Sequence, residues 1–230
     1  MSNQTDKAAV RNLLLLRDGK GLLQWSDRRR NHYRVVMSLT YDSDELVRRR
    51  AIEAIGRLAG SQSLYDLEKV RDLIRRLLWL MNDESGGLGW QAPEMIGEIL
   101  VNVPVLIGEY AHLLPAFLDE EPFERGAHHA IYRVATVNPQ PFAESVGRLR
   151  DSLNDPDPAT RVYAALALTA IGADTNGNGF KGLRSDPGRL SWYDFGTGEL
   201  CRSTVRNVME SVLEQRGPCN RDGNQRIQQE

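Results

Sequence analysis

Apolar residues recur at every third or fourth position through most of this chain, the spacing that places them on one face of an α-helix. Between residues 28 and 173 the pattern predicts helical pairs, each with a turn between its first and second helix. The predicted first helices cover residues 28–40, 64–81, 104–118 with a break at Pro115, and 141–153. The clearest second helix is predicted at 45–60, with Ser43 or Asp44 as its N-cap and Gly60 at its end.

The second helices share a motif, which makes the pattern an internal repeat. Asp42 and Asp44 in the turn are matched by Asp155 and Asp157, at an offset of 113 residues. The following helices match as Arg48-x-x-Ala51-x-x-Ala54-Ile55-x-x-Leu58 and Arg161-x-x-Ala164-x-x-Ala167-Leu168-x-x-Ile171. The aligned alanines of four copies, two of them less regular, are Ala51, Ala92, Ala127 and Ala164, spaced by 41, 35 and 37 residues. Small residues there allow paired helices to approach closely, and hairpins with an uncovered apolar face must stack.

The Asp-x-Asp turn and the Val47-Arg48-x-x-Ala51 motif resemble those of the HEAT-repeat family, in particular the short HEAT-like repeats also found in bilin lyases. The resemblance covers about residues 28–173. It implies an all-α fold, a right-handed α-solenoid of about four HEAT-like helical hairpins whose second helices line the concave face. It also implies that Arg48 and Arg161 are structural and bind neighbouring turns as a ladder. Asn82–Trp90 looks like a segment of uncharacterised HEAT-like proteins of sulfate-reducing bacteria, which implies no activity.

The remainder of the chain is predicted to cap the array. Residues 1–27 form an N-terminal helical cap. Residues 174–215 contain a Gly- and Asn-rich loop over 174–188, a small β-hairpin with strands at 190–195 and 199–202, and a C-terminal capping helix at 205–215. Ser203 or Thr204 would cap that helix. Residues 216–230 are polar and predicted to be disordered.

Composition and charge narrow the function classes. The chain has 230 residues and a net charge of −2, which argues against a general nucleic-acid coat. Residues 1–80 carry 16 basic against 10 acidic residues, residues 81–145 carry 2 against 10, and residues 146–230 carry 11 against 11. Two cysteines, Cys201 and Cys219, are too few for a disulfide framework. With no readable signal peptide or membrane-spanning run, a reduced, cytoplasmic setting is predicted.

The repeat departs furthest from its own pattern at Asn82–Gly97. A loop with three glycines runs into a helix that begins at Trp90, and Gly89 stands where Arg48 and Arg161 stand in other copies. Glycines before a helix N-terminus can offer backbone N–H groups to an anion. No lysine or GK[ST] motif accompanies them, so a long turn is the favoured interpretation.

Side chains on the second helices are predicted to form a partner-binding surface on the concave face. Arginines and carboxylates surround one tryptophan there, a composition typical of protein recognition surfaces. The predicted residues are Arg49, Arg50, Trp90, Gln91, Glu94, Glu98, Arg125, His129, Arg133 and Tyr163. The alternative is a solvated helix face with cross-helix ion pairs that contribute little.

No complete catalytic or metal-ligating constellation is readable. Glu94, Glu98 and His129 could form an acid–base or metal-binding trio. The adjacent His128 points in a different direction on a helix, and a solvent-exposed histidine is the favoured interpretation. The segment at 174–179 matches only the first half of a calcium loop, so an Asn/Gly turn is favoured.

These observations predict a non-enzymatic scaffold or adaptor that binds a protein or peptide, with no cofactor, no metal and no membrane. Two alternatives stay open. The resemblance to bilin-lyase repeats implies a lyase-like protein or chaperone for tetrapyrrole attachment. The arginines at 28–30 and 48–50 would suit nucleic-acid binding, which is disfavoured because acidic residues in the central groove would repel phosphate. The sequence leaves the oligomeric state open.

Overall fold

The computed structural model describes residues 2–82 and 89–213. Over these ranges the chain is mostly helical, with one small two-stranded antiparallel sheet. The chain divides into two compact units, residues 1–111 and residues 112–230. The boundary falls inside the region 28–173 that the sequence predicts to be a continuous repeat array.

One long helix organises the first unit. The helices are α1 (Ser2–Leu15), α2 (Gly19–Ser26), α3 (His32–Leu39), α4 (Glu45–Ser63), α5 (Leu67–Asn82), α6 (Ala92–Asn102) and α7 (Ile107–Tyr110), with a 3-10 helix at Pro104–Leu106. Helix α4 packs against α1, α2, α3, α5 and α6. Its residues Val47, Ala51, Ile55 and Leu58 recur at helical spacing and are buried, so they supply the apolar stripe that holds these neighbours.

Helices α4 and α6 come into backbone contact at Gly56. A Cβ atom at this position would lie 2.5 Å from the Glu98 carbonyl oxygen and 2.7 Å from the Asn102 amide nitrogen. Ala51 and Ala92, which the repeat alignment equates, are both fully buried. The missing side chain at Gly56 therefore permits a helix crossing that any larger residue would push apart.

The second unit is organised around α10. Its elements are α8 (Glu124–Ala135), α9 (Val146–Asp151), α10 (Pro158–Ile171), α11 (Asn178–Leu183), β1 (Arg189–Asp194), β2 (Glu199–Thr204) and α12 (Val205–Leu213), with 3-10 helices at Ala111–Phe117, Gln140–Ser145 and Ser152–Asn154. Helix α8 is the main partner of α10, and α9, α12 and β1 also contact it. Residues 162–168 of α10 are all buried, because the helix is apolar on every side and is covered on every side.

The predicted β-hairpin is confirmed. Strands β1 and β2 are antiparallel, and Asp194 pairs with Glu199 at the turn. One carboxylate oxygen of Asp194 accepts hydrogen bonds from the backbone N–H groups of Gly196 at 2.8 Å and Thr197 at 3.2 Å. Gly198 has a φ of 71°, a backbone conformation that favours glycine. The turn residues therefore explain where the two strands reverse.

Each unit has the same local arrangement at the start of its central helix. The N-caps of α4 and α10, Asp44 and Asp157, have φ and ψ of −79° and 118°, and of −79° and 119°. The backbone N–H of each donates to the carboxylate two residues earlier, Asp42 at 3.0 Å and Asp155 at 2.7 Å. The repeat read from the sequence is therefore present as repeated local geometry at an offset of 113 residues.

An arginine near the start of each central helix donates hydrogen bonds to the Asp-capped turn that precedes the helix. Arg48 Nη1 donates to the carbonyls of Asp42 at 2.7 Å and Ser43 at 3.0 Å. Arg161 Nη1 donates to the matching carbonyls of residues 155 and 156 at 2.6 and 3.1 Å. Its Nε also donates to Asp186 at 2.8 Å. The structural role predicted for Arg48 and Arg161 is confirmed. Arg48 binds its own turn, whereas Arg161 binds both its own turn and Asp186 in the later turn before β1, so only Arg161 links two turns.

Several element boundaries differ from the sequence prediction. Helix α4 runs past Gly60 to Ser63. The helices predicted at 104–118 and 141–153 are divided into short α and 3-10 segments. In the first of these regions Pro115, which lacks an N–H donor, lies inside the 3-10 helix Ala111–Phe117. The predicted loop at 174–188 contains α11. The glycine-rich residues 83–88 and the tail predicted to be disordered, 216–230, lie outside the described residues.

Two observations bear on the predicted surroundings of the protein. Where the structure describes the chain, no single helix is long and apolar enough to cross a membrane; Ala92–Asn102 and Pro104–Phe117 reach that size only when taken together across a sharp bend. Cys201 in β2 is fully buried, and Cys219 lies outside the described residues. The cytoplasmic location stays a prediction.

Candidate functional site

The ten residues predicted to form one binding surface fall into two groups, one in each unit. The first group is Arg49, Arg50, Trp90, Gln91, Glu94 and Glu98. The second group is Arg125, His129, Arg133 and Tyr163. Each group mixes buried and exposed side chains, so the local geometry within each unit decides which of them can touch a partner.

A buried ion pair joins α4 to α6 in the first unit. Arg49 Nη1 donates to Glu94 Oε1 at 2.7 Å, and the two side chains are 15% and 4% exposed. Next to Glu94, burial raises the pKa of the Tyr41 phenol, and hydrogen bonds to the backbone of Gln91 and Trp90 partly oppose that rise. These contacts fix the backbone at the start of α6.

Trp90 points to solvent at this fixed position. It is 59% exposed. A Cβ atom on the preceding Gly89 would lie 2.6 Å from the Leu80 carbonyl oxygen at the end of α5, which explains why glycine replaces the arginine of the other repeats. Trp79, the residue before Leu80 in α5, is 62% exposed. Trp79 and Trp90 are called the tryptophan surface below.

The sequence predicts Arg50 and Glu98 on the binding surface, but both contact other helices of the first unit. Arg50 Nη1 donates to the carbonyls of Leu14 at 3.0 Å and Leu15 at 2.6 Å, at the C-terminus of α1, where a cation is favoured. Glu98 is 1% exposed because its helix packs on α4 at Gly56. Glu94 and Glu98 are therefore buried inside the first unit, and a role for them in partner binding stays a prediction.

In the second unit aromatic residues of the hairpin cover the histidine that the sequence predicts to be exposed. The His129 ring centroid lies 5.0 Å from that of Tyr163 and 5.4 Å from that of Phe195. The Arg133 guanidinium stacks over Phe195 at 4.2 Å, and Trp192 lies 6.0 Å from Tyr163. His129 and Tyr163 are buried. The prediction of an exposed histidine was wrong, because residues of the hairpin, far along the chain, close over α8 and α10.

The other candidates for metal binding, His128 and the segment at 174–179, make hydrogen bonds within the protein. His128 is fully buried, and its Nδ1 lies 2.8 Å from the Glu124 carbonyl oxygen, so this nitrogen carries the donated proton. Burial lowers the pKa of His128, which favours the neutral ring. In the segment that matches half a calcium loop, the carboxylate of Asp174 accepts the Asn176 N–H at 3.0 Å, as in an Asx turn. Across the described ranges, no group of three His, Cys, Asp or Glu residues is placed to hold a metal ion.

Charged side chains cluster where α8 meets the turn before α10. Arg125 Nε donates to an oxygen of Asp157 at 2.7 Å, in an ion pair whose arginine is 53% exposed. A hydrogen bond with the Asp155 carboxyl raises the pKa of Glu124 to about 7, and burial and the charges of Asp155 and Glu121 add to the rise. Arg125 is therefore already engaged within its unit, and Glu124 titrates near neutral pH.

The first unit also contains a basic cleft that is not predicted as a whole from the sequence. It encloses about 1100 Å³ between the loop after α2, the start of α3, the end of α4, and α5. Its charged lining residues are Asp27, Arg28, Arg29, Arg30, Arg34, Lys69, Asp72 and Arg76, six basic against two acidic, which leaves a net charge of +4. The arginine run at 28–30 was the available signal, and the fold brings Lys69 and Arg76 to it.

Comparison with known proteins does not assign an activity to this chain. No protein-family model matches the chain. The chain is 28% identical over 181 residues to an uncharacterized protein of Archaeoglobus fulgidus. The matched region covers 78% of this chain and 94% of that protein. The similarity extends over nearly the whole archaeal protein.

Arg49→Leu is expected to lower the free energy of unfolding by roughly 3–5 kcal/mol, because it leaves the Glu94 carboxylate buried without its cation. Urea denaturation followed by circular dichroism measures the change. Adding Glu94→Gln to Arg49→Leu is expected to recover part of the loss, since no buried charge then lacks its partner. A loss below about 1 kcal/mol for Arg49→Leu would contradict the pairing, because solvated ion pairs contribute only that much.

Glu124→Gln is expected to stabilise the protein above pH 7 and to have little effect near pH 4. The pKa is about 7 in the folded state and about 4.3 in the unfolded state. The proton held by the folded state therefore stabilises it fully at low pH, and this contribution is lost as the pH rises through 7. Because Glu124 is partly exposed, screening limits the gain to roughly 0.5 kcal/mol, or a Tm rise of about 1–2 °C. Thermal melts across this range measure it, and a gain independent of pH would contradict the assignment.

Proposed function

We propose that this chain is a helical-repeat adaptor that binds a protein or peptide through the tryptophan surface of its first unit, without catalysing a reaction. We further propose that its helical pairs form a right-handed HEAT-like α-solenoid of about four hairpins. The observation that carries the binding proposal is the exposure of Trp79 and Trp90, which adjoin in sequence the two residues of one tight backbone contact, Leu80 and Gly89.

The repeated helix start supports the fold proposal. Asp44 and Asp157 cap their helices with nearly the same backbone angles, and Arg48 and Arg161 close the two turns through matching carbonyls. A repeat of helical pairs with the same local geometry is the unit from which solenoids are built, and solenoids present extended surfaces to partners.

The chemistry of tryptophan supports the choice of surface. Tryptophan is enriched among the few residues that carry most of the energy of protein interfaces, because it buries a large apolar area and has few rotatable bonds. The ion pair of Arg49 with Glu94, together with Tyr41, holds the backbone at Trp90. A partner would therefore meet a surface that is already ordered, which reduces the entropic cost of binding.

The proposal uses some of the other residues predicted on the binding surface and does not depend on the rest. Gln91 adjoins Trp90 and Arg49 supports it, so both belong to the proposed site. In the second unit His129 is buried and Arg125 is paired with Asp157, so the proposal does not depend on them. No contact among the described residues favours tetrapyrrole attachment over adaptor function.

Trp90→Ala and Trp79→Ala are each expected to remove the same partner from affinity purifications in the native host, analysed by mass spectrometry. With the purified partner, isothermal titration is expected to show at least a roughly tenfold loss of affinity, the size of effect that interface tryptophans produce. Leu16→Ala is the matched control, because Leu16 is 78% exposed at the end of α1 and lies outside the proposed site. Unchanged partners and affinities in both tryptophan variants would end the proposal.

A further inference from the structure

We propose that the basic cleft of the first unit binds single-stranded nucleic acid, with its arginines on phosphates and Tyr65 stacked on a base. The proposal goes beyond the adaptor function, because it uses different residues and a different class of ligand. It does not depend on the tryptophan surface.

Arginines in the cleft differ from the other arginines of the first unit in their partners. The arginines outside the cleft all donate to a carboxylate or a backbone carbonyl: Arg11, Arg17, Arg48, Arg49, Arg50, Arg57, Arg71 and Arg75. Within the cleft Arg29 binds Asp6 at 2.9 Å. Arg28, Arg30, Arg34 and Arg76 are exposed and have no side-chain partner among residues 2–82 and 89–213. The arginines that lack partners in this unit are therefore concentrated in one cleft.

The charge of the cleft is positive. Of its eight charged residues, Asp72 is paired with Arg75 at 2.8 Å, Arg29 with Asp6 at 2.9 Å and Lys69 with Asp66 at 3.3 Å. Four arginines then face one carboxylate, that of Asp27. Like charges that share a concave surface repel one another and focus a positive potential into the cleft. The guanidinium group matches a phosphate with two parallel N–H donors, so an anionic strand would relieve the repulsion and satisfy the donors at once.

The uncharged lining of the cleft also suits a nucleotide. Tyr65, in the turn between α4 and α5, is 83% exposed, and Met37, Leu58 and Leu73 line the same cleft. A ligand with both a flat apolar face and a phosphate would use the Tyr65 ring and the arginines. Nucleotides have that chemistry.

The size and shape of the cleft favour a strand over a small ligand or a duplex. Its volume of about 1100 Å³ lies at the upper limit of small-molecule pockets, which span roughly 300–1,000 Å³. Bases in a duplex are stacked on one another and are not free to meet a tyrosine ring, whereas those of a single strand are. A peptide made only of acidic residues would satisfy the arginines but would leave Tyr65 without a stacking partner.

Fluorescence polarisation with labelled single strands of uridine or thymidine, about ten nucleotides long, tests the proposal. Binding is expected to weaken steeply as salt rises, since phosphate contacts release counterions. Arg30→Glu and Arg76→Glu are each expected to weaken binding about tenfold and to reduce the salt dependence. Tyr65→Ala is expected to weaken binding about fivefold or more, and Tyr65→Phe to retain it, because the ring is what stacks.

Arg202→Glu is the matched control, because Arg202 is an exposed arginine of the second unit and the charge change is the same. Thermal melts verify that each variant is folded. Loss of binding in the cleft variants alone, with Trp79→Ala and Trp90→Ala unaffected, supports the proposal. An equal loss in Arg202→Glu, tighter binding of a duplex or of polyglutamate than of the single strand, or no binding at low salt would each overturn it.

Discussion

The contact between α4 and α6 at Gly56 sets the geometry of the first unit. Because position 56 has no side chain, the Glu98 carbonyl can approach the α4 backbone, and the two helices cross at backbone distance. This crossing buries Glu94 and Glu98 and brings Glu94 within reach of Arg49. The start of α6 is held in turn, so Trp90 is presented to solvent from an ordered backbone.

The two units use one local arrangement and differ in what covers it. Helices α4 and α10 begin with the same Asp-capped turn, closed by an arginine. Helix α4 is surrounded by other helices, and its arginines donate to carboxylates or backbone carbonyls. Helix α10 is covered by α8 and by the aromatic residues around Trp192, which leaves His129 in an apolar environment.

The features that the sequence predicts well are those that depend on neighbouring residues. The Asp44 cap, one of the two caps predicted, and the hairpin are encoded within a few positions, and the structure confirms them. Asp157, the matching residue of the repeat, caps α10 in the same way. The burial of His129 depends on Phe195, which no local pattern links to it. The basic cleft depends on Arg76 and the run at 28–30, which are adjacent only after α3, α4 and α5 have packed. Long-range packing is thus what the sequence pattern could not supply.

Substitution of Gly56 by alanine, compared with the same change at Gly147, tests the central role of the α4–α6 contact most directly. Gly147 lies in α9, and a Cβ atom there would have nothing within 4 Å, so Gly147→Ala is expected to stabilise by roughly 0.5–1 kcal/mol through helix propensity and chain entropy. Gly56→Ala is expected to destabilise by roughly 1–3 kcal/mol, because the added methyl overpacks the crossing. Urea denaturation of both variants gives the two values. A stabilising Gly56→Ala would contradict the account.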